Sequence, residues 1–82
     1  MPSRALVTGG GRGIGADIAR ELANAGWHVT VTARSSKQVD EIAREIGGTA
    51  VAGDVSKRAD VEGMIAAAEP IDLLVANAGI AL

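Results

Sequence analysis

Two hydrophobic periods alternate along this 82-residue chain. Short apolar or β-branched runs at Arg4–Thr8, His28–Ala33, Thr49–Ala52 and Asp72–Ala76 predict strands. Between them, apolar positions recur every three or four residues and predict helices. The first helix, Gly13 to about Ala25, carries Ile14, Ile18 and Leu22 as its expected buried stripe, with Asp17, Arg20, Glu21 and Asn24 off it. Gly26 follows where a left-handed residue is wanted. Ser35, with Gln38 three residues on, reads as a capping box for a second helix. The stripe of that helix is Val39, Ile42, Ala43 and Ile46, and Gly47-Gly48 ends it. Ser56 is the expected cap of a third helix, whose apolar face is Val61, Met64, Ile65 and Ala68 and whose stop is Glu69-Pro70. Lys57 and Arg58 in its first turn oppose the helix dipole, at a cost of roughly a few tenths of a kcal/mol.

The order β-α-β-α-β-α-β defines an α/β chain. Strands separated by single-faced helices imply a parallel sheet with right-handed crossovers. The expected strand order is 3-2-1-4, with the first two helices on one face and the third on the other, which is half of a doubly wound (Rossmann) fold. Such an arrangement leaves the fourth strand at an edge, although Leu73, Leu74 and Val75 read as a central strand. An open apolar edge is a pairing hazard. The pattern therefore leads us to expect an incomplete domain.

Composition narrows the chemistry. Of the residues, 48% are hydrophobic, supplied almost wholly by Ala, Val, Ile and Leu, with one Trp and no Phe or Tyr. Small and β-branched side chains suit helices packed closely on a buried parallel sheet. A net charge of −2 offers no electrostatic case for nucleic acid or an anionic membrane. With no cysteine, the chain has no disulfide framework and no thiolate metal site. No apolar run approaches the roughly 20 residues that span a bilayer. The N-terminal residues lack a charged-then-apolar leader, so a cytoplasmic location is expected.

The stretch Ala5 to Ala16, ALVTGGGRGIGA, carries the candidate chemistry. A strand that ends in a glycine-rich turn and feeds a helix N-terminus is built to hold phosphate. The unpaired amides of the first helical turn point at the anion, and a Cβ would hold a pyrophosphate away from the backbone. The turn fits G-x-G-x-x-[GA] from Gly11 to Ala16, and also T-G-x-x-x-G-x-G from Thr8 to Gly15. The second pattern resembles the short-chain dehydrogenase/reductase family. Three further segments share that resemblance: Gly53-Asp54-Val55, Pro70-Ile71-Asp72 and Asn77-Ala78-Gly79. It covers essentially the whole chain, read as residues 1–82 of an NAD(P)-binding segment.

The resemblance implies that Gly9, Gly13, Ile14 and Gly15 line a pyrophosphate, Ile14 through its backbone amide. It implies that Asp54 accepts a hydrogen bond from the adenine amino group and that Val55 packs beside the ring. Asn77 would tie the fourth strand to the neighbouring turn, while Ala78 and Gly79 would let the cofactor pass close to the backbone. Ala76 stands where the family usually has an Asn, which removes one supporting hydrogen bond. At the end of the second strand, about 20 residues past the turn, a carboxylate would bind the ribose of NAD. Here the residue is Arg34, whose guanidinium can fork onto a 2′-phosphate. Arg12, Ser35 and Ser36 are candidates to reach the same phosphate, so NADP is expected over NAD.

Hydride transfer to a carbonyl also needs a proton donor. In the family implied here that donor is a Tyr, helped by a Lys and a Ser beyond the fourth strand. This sequence has no Tyr, and its lysines, Lys37 and Lys57, belong to the second and third helices. No catalytic residue and no metal ligand is therefore assigned. The leading expectation is the cofactor-binding portion of an NADP-dependent oxidoreductase, inactive alone. A homo-oligomer or a complementary C-terminal chain would join through the fourth strand. The alternative is a stand-alone dinucleotide-binding module without catalysis. A methyltransferase reading of the glycines is disfavoured because it wants an acid where Arg34 sits, and a P-loop because no Gly-Lys-Ser/Thr follows the turn.

Overall fold

The computed structural model describes residues 3–9 and 13–77. Its elements are β1 (Arg4–Thr8), α1 (Gly13–Asn24), β2 (His28–Ala33), α2 (Ser36–Ile46), β3 (Thr49–Ala52), α3 (Arg58–Ala68) and β4 (Leu73–Ala76). The four strands form one parallel sheet in the order β3-β2-β1-β4, as the alternation of periods predicts. Register places Val7 beside Val31 and Val75, and Leu6 beside Thr30 and Leu74.

Because side chains alternate across a strand, that register sorts the interior into two layers. On one face Val7, Val29 and Val31 pack with Ala16 and Ala19 of α1 and with Val39, Ile42 and Ala43 of α2. On the other, Leu6 of the sheet is buried, and so are Met64 and Ala68 of α3. An exposed ion pair, Arg20 Nε to Glu45 Oε2 at 2.6 Å, links α1 to α2 across the outside of the first layer.

The docking face of α1 differs from the expected stripe. Gly15, Ala16 and Ala19 are its buried residues, with Ile18, Leu22 and Ala23 partly buried beside them, whereas Ile14 is 71% exposed. Small side chains let the helix axis approach the sheet, so they set the rotation about that axis. At 100° per residue the stripe centred on Gly15, Ala16 and Ala19 turns Ile14 toward the opposite side. Helix α2 follows the expected pattern. Ser35 is its N-cap, accepting at Oγ from Gln38 N at 3.4 Å, and Gly47 closes it with its amide on the Ala43 carbonyl.

At α3 the expected cap is wrong. Lys57, not Ser56, occupies the N-cap position and makes no side-chain cap. The Ser56 hydroxyl instead donates to Asp54 Oδ1 at 2.8 Å. Asp60, in the first turn of α3, supplies a negative charge there and accepts from Asp54 N at 2.9 Å. A carboxylate in the first turn suits the positive end of the dipole, which offsets the conflict expected from Lys57 and Arg58. Of the apolar face, Met64 and Ala68 are buried, Val61 is half-buried and Ile65 is exposed.

Thr32 is fully buried, and its hydroxyl has no hydrogen-bond partner among the described residues. An unpaired buried hydroxyl costs about 1–3 kcal/mol. Thr32→Val keeps the β-branched shape and removes that group. The variant should gain roughly 1 kcal/mol of stability, read as a higher denaturant midpoint with an unchanged slope. A lower midpoint would show that the hydroxyl is satisfied in solution.

Candidate functional site

All strands of a parallel sheet point the same way, so the chain leaves them along a single edge. Along the sheet the exits run Gly53-Asp54 after β3, Arg34 after β2, Gly9 after β1 and Asn77 after β4. Neighbouring strands lie about 5 Å apart, so these exits share a strip roughly 15 Å wide. Connections run outward from β1 in both directions, with β2 on one side and β4 on the other. The crevice at such a reversal is where open α/β sheets receive ligands.

The β1 exit is built from close backbone contacts. Gly9 and Gly13 adopt φ values of 70° and 63°, a left-handed conformation that L side chains disfavour. Gly15 is buried, and a Cβ placed on it would collide with the Gly9 carbonyl and stand 2.6 Å from Asn77 Nδ2. The glycine turn, the start of α1 and the segment after β4 thus meet with no room for a side chain. Thr8 locks the same junction. Its Oγ1 donates to the Val75 carbonyl at 3.3 Å and accepts from Asn77 N at 3.1 Å. The first-turn amides of α1, including those of Gly13, Ile14 and Gly15, have no acceptor within the helix and lie at this edge. They form a cradle of donors with a positive dipole end, which suits an anion.

One and two strands away lie the charged groups. Arg34 leaves β2 with its side chain 81% exposed, and its Nη2 stands 3.5 Å from Asp54 Oδ2. Their proximity follows from the register. Ala33 pairs with Ala52, and Gly53 N donates to the Ala33 carbonyl at 2.9 Å, so Arg34 and Asp54 emerge side by side. A Cβ on Gly53 would stand 2.7 Å from the Met64 methyl, so glycine lets the chain turn closely over α3. Asp54 Oδ1 accepts from Ser56 N at 2.9 Å and from Ser56 Oγ at 2.8 Å. These two donations hold the Asp54 carboxyl below the usual carboxylate range, with Arg34 and Lys57 adding to the effect and burial opposing it.

Of the residues singled out from sequence, Gly9, Gly13, Ile14, Gly15, Arg34, Ser35, Asp54, Val55 and Asn77 all border this one edge. Val55 is half-exposed beyond Asp54, and the Ser35 oxygen is engaged as the cap of α2. Arg12, Ala78 and Gly79 lie outside the described residues. His28, at the far end of β2, is within 3.2 Å of the Thr49 hydroxyl and away from the site. No group of three or more potential metal ligands comes together among the described residues. Sequence reasoning missed the Asp54–Arg34 pair and the Thr8 bridge. Both are readable only once strand register fixes which exits are neighbours.

Residues 3–82 match the short chain dehydrogenase family, and the chain belongs to it. A short-chain type dehydrogenase/reductase of Sinorhizobium fredii is 46% identical over 76 residues, covering 93% of this chain and 30% of that protein. Among solved structures, a variant of actinorhodin polyketide ketoreductase with NADPH matches at a TM-score of 0.91 and 34% identity, over 96% of this chain and 34% of that one. A 3-ketoacyl-(acyl-carrier-protein) reductase from Brucella melitensis, complexed with NADH, matches at 0.85 and 36% identity, over 88% of this chain and 32% of that one. The chain spans about a third of the length of these proteins. Among the described residues, no helix is long and apolar enough to cross a membrane.

The contact at Gly15 gives a direct test. Gly15→Ala must push the Gly9 carbonyl or Asn77 aside, and forced overpacking of this kind costs about 1–3 kcal/mol. The expected outcome is a lower thermal midpoint, whereas Gly63→Ala, at a helical site with open space around its Cβ, should be neutral or stabilising. Equal midpoints for the two variants would refute the crowding at the β1 exit.

Proposed function

We propose that this chain is the cofactor-binding portion of an NADP-dependent short-chain oxidoreductase. The observation that carries the reading is the edge described above. The first-turn amides of α1 and left-handed glycines stand at the β1 exit, and a guanidinium stands at the β2 exit where an NAD-binding chain would place a carboxylate. A left-handed turn at Gly9 and Gly13 and the close approach at Gly15 support a main-chain cradle for a diphosphate.

Gly9, Gly13, Ile14 and Gly15 would hold the diphosphate through main-chain donors, and Arg12 is a further candidate for the 2′-phosphate. Arg34 would fork onto the 2′-phosphate, with Ser35 beside it. Asp54 would accept from the adenine amino group, and Val55 would cover the ring. Asn77 would tie β4 to the neighbouring glycine turn, and Ala78 and Gly79 would let the cofactor pass close to the backbone. When bound, the dinucleotide supplies a hydride for reduction of a carbonyl, or accepts one from a hydroxyl. The chain's own residues bind and orient it. No catalytic residue is assigned among them, since the sequence contains no tyrosine. The 82-residue segment alone is therefore expected to bind without turnover.

NADPH and NADH both occur among the similar structures, so the preference for NADP rests on Arg34 alone. The segment is read as an incomplete domain in a cytoplasmic protein. Leu74 of β4, 58% exposed, and the unpaired outer side of that strand among the described residues support a partner there. That partner is a complementary C-terminal segment or a second copy. The alternative is a stand-alone dinucleotide-binding module without catalysis.

Titration with NADPH and NADH, followed by nicotinamide fluorescence, tests the proposal. NADPH should bind more tightly. Arg34→Asp should reverse the order, because a charge-assisted contact worth about 1.5–3 kcal/mol is replaced by repulsion. Unchanged NADPH affinity in that variant would remove the assignment of Arg34.

A further inference from the structure

The Arg34–Asp54 pair joins two residues whose proposed duties lie on different parts of one ligand. The two ends of this pair are not held alike. Among the described residues the guanidinium, 81% exposed, has a single ionic neighbour at 3.5 Å, whereas the Asp54 side chain is 23% exposed and fastened through Oδ1 by two donations from Ser56. An exposed ion pair of this length contributes little, so Arg34 can leave it for a phosphate at small cost. Asp54 cannot follow or withdraw, because the 54–56 turn fixes it. Its charge therefore stays beside any dianion that Arg34 receives. The other charged groups near Asp54 are Lys57, which attracts it, and Asp60, whose carboxylate accepts the Asp54 amide.

We propose that Asp54 is a second specificity-determining residue, which opposes a 2′-phosphate at Arg34 and so limits the preference for the phosphorylated dinucleotide. This inference rests on the cofactor reading given above. Two consequences separate Asp54 from a purely structural residue. Removing its charge should strengthen NADPH binding relative to NADH, while any lost adenine contact weakens both equally and cancels in the ratio. The gain should also shrink with added salt, since charges near a solvent-exposed guanidinium are screened.

The test compares Kd(NADH)/Kd(NADPH) for the unmodified chain, Asp54→Asn and Arg34→Ala, by energy transfer from the single Trp27 or by nicotinamide fluorescence, at low and at high salt. Asp54→Asn should raise the ratio about fivefold at low salt, as expected for charges several ångströms apart in a water-rich setting, and less at high salt. Arg34→Ala should bring the ratio close to one. If Asp54→Asn leaves the ratio unchanged or lowers it while Arg34→Ala abolishes the preference, the role given to Asp54 is overturned and the cofactor reading stands. If the unmodified chain shows no preference and Arg34→Ala changes nothing, the reading of Arg34 fails and takes this inference with it. Should Asp54→Asn lose its helical circular dichroism, Asp54→Ser retains a turn-forming oxygen without the charge and carries the same comparison.

Discussion

The close approach of three backbone segments at the end of β1 is the constraint on which the rest depends. Gly15 lies where a methyl group would strike the Gly9 carbonyl and crowd the Asn77 amide. That approach presses α1 onto the sheet through Gly15, Ala16 and Ala19, and so fixes the helix rotation. It also brings the segment after β4 against the glycine turn, where Thr8 Oγ1 bridges the two strands. The docking of α1 and the meeting of the β1 and β4 exits thus converge on one packing contact. A bulkier residue at that point would disturb both.

Much of this was legible in the sequence, because the signals were periodic or conformational. Alternation of the two hydrophobic periods located seven elements, and right-handed crossovers then left strand order 3-2-1-4 as the natural solution. Ser35 and Gly47 bounded α2 through local chemistry that needs no tertiary context. The errors have a common physical source. The four-residue spacing of Ile14, Ile18 and Leu22 points Ile14 at the core, yet close packing selects the small residues Gly15, Ala16 and Ala19 instead. Ser56 was assigned as a cap because it precedes α3, yet its hydroxyl had a nearer acceptor in Asp54. In both cases a tertiary or turn contact outweighed a local preference.

The site was legible to a different degree. Residues tied to the glycine turn follow from conformation, since a left-handed φ at Gly9 and Gly13 restricts the choice of residue. The relation between Arg34 and Asp54 does not. These residues are 20 positions apart in sequence and become neighbours only through the β2–β3 register and the Gly53 amide bond to Ala33. Charge pairs of this kind carry no periodic signal, so a one-dimensional reading assigns each residue a separate duty.

This division has a functional consequence. On the proposed reading, main-chain amides at the mouth of α1 respond to a diphosphate, which NADPH and NADH share. They cannot discriminate among adenosine sugars. The same reading assigns discrimination to side chains at the β2 and β3 exits, which lie on the far side of β1 from β4. Those side chains are exposed or loop-borne and contribute little to the core, so they can change without cost to the packing at Gly15. The fold therefore separates what must stay fixed for a dinucleotide to be held at all from what can vary to choose between two of them.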